Sequence, residues 1–555
     1  MRRLYTAAGE SVPETPWNDY PRPQMVRRDW LCLNGEWDFT ANGREGKITV
    51  PFCAESLLSG AEKPVPCGQE LIYRRRFSLP ASWTGRRVLI RFGAVNRTAA
   101  VWCNGREICR HDNGYLPFSG ELTDALLPGE NELTVHVVND LSHSFPWGKQ
   151  SMDRGGMWYT PVTGIWQTVW LEPVPREYIR SLDIRTGADR AEITAEGVRD
   201  GVVRFEGREI PLTDGRAVIR PESPVLWSPE RPHLYRFTVT AGEDEVGSYF
   251  ALRTLSVETV KGKPRLCLNG EPYFFNGLLD QGYRSDGLYT PAAPELYAED
   301  ILAAKDMGFN TLRKHIKIEP ERFYYDCDRL GMAVVQDMVN CGDYHFLRDT
   351  LLPTLGLQKR GDTALHSDPK LREHFIAAMT DTVARLRNHP CICAWTIFNE
   401  GWGQFRADDM YRALKELDPE RFVDSTSGWF AQELSDVESR HIYFGALRLG
   451  KRPLPQVLSE FGGYVWKLPE HSFNEKKTYG YRIYPDRERY ARALTALYEK
   501  LIPLAGQGLC AAIYTQLSDV EDETNGLLTY DRRVQKIDAG RLRPLAERLM
   551  RAVKR

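Results

Sequence analysis

The sequence predicts a multidomain β plus α/β protein: an N-terminal jelly-roll β-sandwich, an immunoglobulin-like β-sandwich, and a C-terminal (β/α)8 TIM barrel. Three observations carry that expectation. The chain has 555 residues, enough for two to four domains. Short strands separated by Asn-Gly and Pro turns fill its first 258 residues. After about residue 259 the pattern changes to short apolar strands alternating with helical stretches.

The first segment, 1–175, contains Leu33–Phe39, Tyr73–Phe77, Ala100–Gly105 and Leu133–Val138. In the last of these, apolar and polar side chains alternate with the period of a half-buried strand. The second segment, 176–258, includes Pro232–Val239 and Gly247–Phe250 and is the size of a small immunoglobulin-like sandwich. In the third, 259–555, the expected strands are Tyr273–Asn276, Phe309–Arg313, Met332–Gln336, Ile392–Phe398, Arg421–Asp424, His441–Phe444, Gln456–Ser459 and Cys510–Thr515. Between the third and fourth, Phe375, Met379, Val383 and Leu386 recur at helical spacing. Eight strands in roughly 300 residues make one (β/α)8 barrel. The stretch from Asn340 to Ser367 breaks the rhythm and reads as a long loop on the functional face.

Composition narrows the function. Lys plus Arg (73) nearly cancel Asp plus Glu (75), which gives nucleic-acid binding no support. The basic start Met1-Arg2-Arg3 has no apolar run behind it and no segment is long enough to cross a bilayer, so no leader and no membrane partner are expected. The 11 cysteines are odd in number and form no CxxC pair, which suits reduced thiols in a cytoplasmic protein. Walker A, HExxH, GxSxG and strand-following GxGxxG motifs are missing, so nucleotide, zinc-protease, serine-hydrolase and dinucleotide chemistry have no foothold.

Barrel enzymes place their reactive groups at the C-terminal ends of strands. The fourth strand ends in Asn399-Glu400 between Trp395 and Trp402. An acid in such an aromatic, partly dry pocket is expected to hold its proton toward neutrality, as a general acid must. An isolated Asn-Glu more often just ends a strand in a surface turn. What changes the reading is a second apolar strand, the seventh, which ends in Ser459-Glu460-Phe461-Gly462-Gly463. Two carboxylates at one barrel mouth supply the nucleophile and the acid/base of a glycosidase. Further polar groups fall at the other strand ends: Asp280 and Gln281, Arg313 and His315, Asp337, Trp429, His441 and Tyr443, Gln516 and Asp519. Each alone reads as structural; together they outline a substrate-binding rim.

Asn388-His389-Pro390 running to Asn399-Glu400 resembles the acid/base signature of glycoside hydrolase family 2. Asn310–His315 with Cys327–Gly331 is similar to its other signature, and Ser459–Gly462 to its nucleophile strand. Leu33–Trp37, Val50–Phe52 and Pro161–Trp166 look like its sugar-binding-domain motifs. The resemblance implies an exo-acting, retaining β-glycosidase with Glu460 as nucleophile, Glu400 as acid/base and Asn399 on the sugar's 2-hydroxyl. It also implies a carbohydrate or glycoconjugate substrate and a homo-oligomer. The sequence departs from the family where Arg313 is followed by Lys314-His315-Ile316-Lys317 instead of Ser-His-Tyr-Pro, and where strand one ends in Asp280-Gln281-Gly282-Tyr283 instead of Arg-His-Glu. With that strand-one ligand motif altered, no cofactor and no metal are expected. Acidic Glu521-Asp522-Glu523 stands where family glucuronidases carry Asn-x-Lys before Gly526–Arg532, and Asn474-Glu475-Lys476 spells that triplet only in a different segment. Galactose is therefore the leading sugar and a uronide or pentose the alternative, with Lys314 and Lys317 as possible anion contacts. Outside enzymes, the alternative is a non-catalytic carbohydrate-binding protein with a degenerate barrel.

Overall fold

The computed structural model describes residues 2–555. Its first sandwich packs a six-stranded antiparallel sheet against a four-stranded one. The larger sheet runs in the order 44–50, 35–41, 70–78, 130–138, 98–103, 106–111; the smaller in the order 31–32, 169–174, 87–92, 118–121. Strand Glu130–Val138 alternates buried and more open positions, as its sequence predicts. Trp37, Tyr73, Ile90, Phe92, Val101 and Leu171 close the core between the sheets.

The second sandwich has a three-stranded sheet (181–186, 191–196, 216–219) facing a four-stranded one (201–205, 208–212, 235–241, 244–250). Ile184, Ile193, Val203, Phe237 and Val246 fill it. The N-terminal arm joins neither sheet as a strand. Leu4 and Trp17 pack into the barrel's hydrophobic cluster and Met25 into that of the second sandwich.

The barrel strands are β1 (Phe275–Asp280), β2 (Thr311–Lys314), β3 (Ala333–Asp337), β4 (Ile392–Asn399), β5 (Phe422–Ser427), β6 (Glu438–Ile442), β7 (Gln456–Phe461) and β8 (Leu509–Tyr514). They form one parallel sheet in the order β5-β4-β3-β2-β1-β8-β7-β6. Among the described residues no backbone ladder joins β5 to β6. Side chains bridge that seam instead: Ser439 Oγ donates to Asp424 at 2.9 Å, and Ser427 Oγ lies 3.1 Å from His441 Nε2.

All eight expected strands are present, with shifted ends. Strand β1 starts two residues later than expected and reaches Asp280; β6 starts earlier and stops at Ile442, which leaves Tyr443 just beyond it. Helices follow β1 to β4, β7 and β8, but among the described residues no α-helix lies between β5 and β6 or between β6 and β7. The chain itself forbids one: Phe430 takes a positive φ of 56° after β5, while Gly445, Gly450, Pro453 and Pro455 interrupt the run after β6. The segment expected to be an open loop, 340–367, holds a π-helical turn at Leu347–Leu351.

Candidate active site

Strand β4 delivers Asn399 and Glu400 to the barrel mouth, and the backbone turns there at once. Glu400 has φ 53°, a left-handed conformation seldom adopted by a residue with a Cβ, and its N–H is held by Ser427 O at 2.9 Å. Gly401 follows with φ 76°, packed so closely that a Cβ would meet the Phe430 ring at 2.3 Å. On β7, Glu460 is followed by Gly462 at φ 85°, where a Cβ would come within 2.4 Å of Tyr514. Both carboxylates are thus fixed by backbone that tolerates no larger residue behind them.

The two acids face one another across His441. Its Nδ1 is 2.7 Å from Glu400 Oε1, and its Nε2 is 3.5 Å from Glu460 Oε1. A carboxylate oxygen of each acid and a ring nitrogen of His441 all lie within 4.8 Å of one another. Among the described residues these three side chains are close enough together to offer ligands to a metal ion.

Glu460 is buried and surrounded by donors. Arg313 donates to its Oε1 at 3.2 Å and Tyr443 donates its hydroxyl to Oε2. Burial alone would push its carboxyl up, but His441, Arg313, His315 and Lys149 together outweigh that and hold it down to about 2. Arg313 spends its remaining donors on Asp337 (3.0 Å), Ser459 O (3.0 Å) and Asn399 Oδ1 (2.9 Å), so one guanidinium ties β2, β3, β4 and β7 together. Asn399, with its oxygen occupied, has its amide N–H groups left to donate. His315 Nδ1 meets Asp337 Oδ2 at 2.7 Å; burial, then the charge of Lys149, lowers the His315 imidazole to about 4 and keeps it neutral.

The structure brings Arg313, His315, Asp337, Asn399, His441 and Tyr443 into this network, and Trp429 lines the adjoining cavity with its ring 5.9 Å from His441. Other expected rim residues are engaged elsewhere. Asp280 is bound by Lys314 Nζ (2.5 Å) and Gly282 N (2.8 Å). Lys314 also reaches Glu319 at 2.8 Å, and Lys317 lies 2.9 Å from Glu319, so both lysines are committed to internal ion pairs. Gln516 donates to Asn525 at 2.9 Å. Asp519 accepts from Lys536 at 2.6 Å and Gly526 N at 2.9 Å, bracing the strand-eight loop. Gln281 is buried, its amide nitrogen without a partner among the described residues.

Several contributors were missed because they come from distant segments. A loop of the first sandwich crosses to the barrel mouth, anchored where Trp147 donates to Asn340 O and Gly342 O, each at 3.1 Å. It sets Trp158 against Trp402 (5.5 Å) and Tyr344 (4.9 Å). It also buries most of the Lys149 side chain and places its ammonium 5.5 Å from the Trp402 ring, with no hydrogen bond or ion pair to it among the described residues. Tyr159 donates to Glu523, whose carboxyl is raised by burial against the lowering pull of Lys149. Tyr481 stacks on Tyr443 with centroids 3.7 Å apart. A cavity of about 400 Å³ opens in front of Glu400, His441, Tyr443 and Tyr481. Nothing local in Lys149 or Trp158 signals a role; only the loop's crossing does.

This geometry has relatives. Residues 260–450 match the model of the glycosyl hydrolases family 2 TIM barrel domain, and residues 59–175 match that family's sugar binding domain, together more than half of the chain. The chain belongs to glycoside hydrolase family 2. Among curated proteins, a β-galactosidase from Aeromonas hydrophila subsp. hydrophila is 30% identical over 429 residues, covering 70% of this chain and 38% of that protein. One from Vibrio cholerae is 26% identical over 77% of this chain and 46% of its own length. The family 2 chain described here thus spans less than half the length of these relatives. Among solved structures, a β-D-glucuronidase from Dictyoglomus thermophilum superposes with a TM-score of 0.74 at 18% identity, covering 96% of this chain and 98% of that one. A β-glucuronidase from Faecalibacterium prausnitzii gives 0.70 at 20% identity. These likenesses establish the shared fold of sandwiches and barrel. No helix of the described residues is long and apolar enough to cross a membrane.

Proposed function

We propose that this family 2 chain is a retaining exo-β-glycosidase, with Glu460 as nucleophile and Glu400 as acid/base. The observation that carries the reading is the approach of the two carboxylates to within 4.8 Å at their nearest oxygens. Retaining enzymes hold their carboxyls about 5–5.5 Å apart, whereas inverting ones need about 6.5–9.5 Å to admit a water. Glu460, kept ionised by Arg313 and Tyr443, attacks the anomeric carbon while Glu400 protonates the departing oxygen. Glu400 then takes a proton from the water that releases the sugar. Asn399, its oxygen fixed by Arg313, donates to the sugar's 2-hydroxyl.

The leading glycone is a neutral hexose, galactose first, in keeping with the curated relatives. A second reading, a uronide, is favoured by one observation: the Lys149 ammonium, unpaired among the described residues, whose charge acts on both Glu460 and Glu523. Opposing it are Glu523 and the internal pairing of Lys314 and Lys317. A panel of p-nitrophenyl β-galactoside, β-glucoside, β-mannoside, β-glucuronide, β-galacturonide and arabinosides decides between them. The first-formed sugar, read by NMR, should be the β anomer; an α first product would sink the retaining mechanism. Silence across the panel would favour the non-catalytic carbohydrate-binding alternative. Exposed Phe346, Leu347, Leu355 and Leu357 support the expectation of a homo-oligomer, which a monomer in light scattering would overturn.

A further inference from the structure

The cavity in front of Glu400 does not end there. It shares Gln358, Gly428, Trp429 and Arg440 with a second cavity of about 670 Å³ that runs outward along the β5–β6 seam. Each is the size of an ordinary ligand site, which run roughly 300–1,000 Å³, so the pair has room for more than one sugar ring. Glu400 faces this side, so under the glycosidase reading, on which this inference rests, the seam cavity receives the leaving group.

Cations outnumber acids there. Lys359, Arg440, Arg448, Lys451 and Arg452 line the two cavities, and none of the five is ion-paired among the described residues. Arg452 spends its guanidinium on two backbone carbonyls, Gln432 O at 3.2 Å and Glu433 O. The side chains of the other four donate no hydrogen bond among the described residues. The acids that face them are already bound. Glu438 accepts from Gln456 Nε2 (3.0 Å) and from the backbone N–H groups of Lys451 (3.2 Å) and Arg452 (2.8 Å). Asp424 accepts from Ser439 Oγ. Exposed cations such as Lys63, Lys370 and Arg548 are also without ion pairs among the described residues, so what sets this cleft apart is that five cations line it together. Five unpaired cations converging on a cleft focus a positive potential into it. The Trp429 ring at the junction offers a flat apolar face of the kind that sugars stack on.

We propose that the leaving-group side of this site is built for an anionic carbohydrate, whose carboxylate or sulfate groups, borne on the sugars beyond the scissile bond, are received by Lys359, Arg440, Arg448 and Lys451. The test compares β-glycosides that share one glycone but differ in leaving group: a neutral disaccharide, the same disaccharide carrying a uronate, the same carrying a sulfate ester, and p-nitrophenol. The anionic leaving groups should raise kcat/KM at least about 10-fold over the neutral one at low salt, through electrostatic capture. That advantage should shrink between about 0.01 and 0.15 M salt as the screening length falls from about 30 to 8 Å. The triple variant Lys359→Gln, Arg448→Gln, Lys451→Gln should abolish the preference while leaving p-nitrophenyl turnover unchanged. Whichever of uronate and sulfate gains more identifies the anion. Equal kcat/KM for neutral and anionic leaving groups at low salt overturns the inference, as does a preference indifferent to both salt and the triple variant. No turnover of any substrate, p-nitrophenyl glycosides included, strikes at the glycosidase reading itself and takes this inference with it.

Discussion

Replacing Glu460 by Gln removes an anion that Arg313, Tyr443 and His441 all address. The site holds this carboxyl at about 2 rather than the ordinary 4.5. Its ionised form is therefore favoured by roughly 3 kcal/mol, at about 1.4 kcal/mol per pH unit. Because the folded value is depressed, that stabilisation is complete above about pH 4.5 and is lost as pH falls toward 2. At pH 7, where His315 is neutral and Arg313 carries much of the attraction, Glu460→Gln should lower stability by no more than about 3 kcal/mol, since its amide sets a donor against donors. Turnover should fall about 10⁴-fold or more, because no other group can form the glycosyl intermediate. The assay is hydrolysis of the best p-nitrophenyl glycoside beside thermal unfolding of both proteins. A Glu460→Ala variant supplied with azide extends the test. Azide entering the vacated space attacks from the α face and gives the α-glycosyl azide, whereas azide replacing Glu400's water attacks a glycosyl-enzyme and gives the β product. Activity of Glu460→Gln near wild type, or a β-azide from Glu460→Ala, refutes the assignment.

Glu400→Ala should depend strongly on leaving group: about 10²–10⁴-fold slower with alkyl or sugar leaving groups and far less affected with dinitrophenolate, which departs without a proton; a uniform loss would deny the acid role. Asp424 is raised by burial to about 6, so it holds its proton better folded than unfolded, and the advantage present below about pH 4 is lost as pH rises through 6. Asp424→Asn keeps an acceptor for Ser439 and should stabilise the protein by about 3 kcal/mol at pH 8 but hardly at pH 4, read by unfolding at both. His315, held at about 4, leaves the unfolded chain binding more protons between pH 4 and 6.5, so its contribution weakens as pH falls across that window. In Lys149→Met its NMR titration should move up toward 6.5; an unmoved value would deny the closeness of the two side chains.

The sequence by itself determined the parts whose signals are local. Alternation in Glu130–Val138 marks a sandwich strand because a pleated strand buries every second side chain. Ile392–Asn399 and Gln456–Phe461 are apolar runs that stop at a carboxylate, and a barrel turns every such stop into a group at its mouth. The eight strands and both glutamates were legible for that reason. Tertiary structure alone decided what depends on distance between segments far apart in the chain. Asp280 and Arg313 look alike as strand-end polar residues, yet one is consumed by Lys314 while the other grips Glu460, a difference set by which neighbours the closed sheet supplies. Lys149 and Trp158 lie more than a hundred residues before β1, and only the crossing of their loop brings them beside Trp402. The approach of the two acids to within 4.8 Å is likewise fixed by how the sheet curls and where its β5–β6 seam is bridged, and no strand encodes that curvature in its own residues.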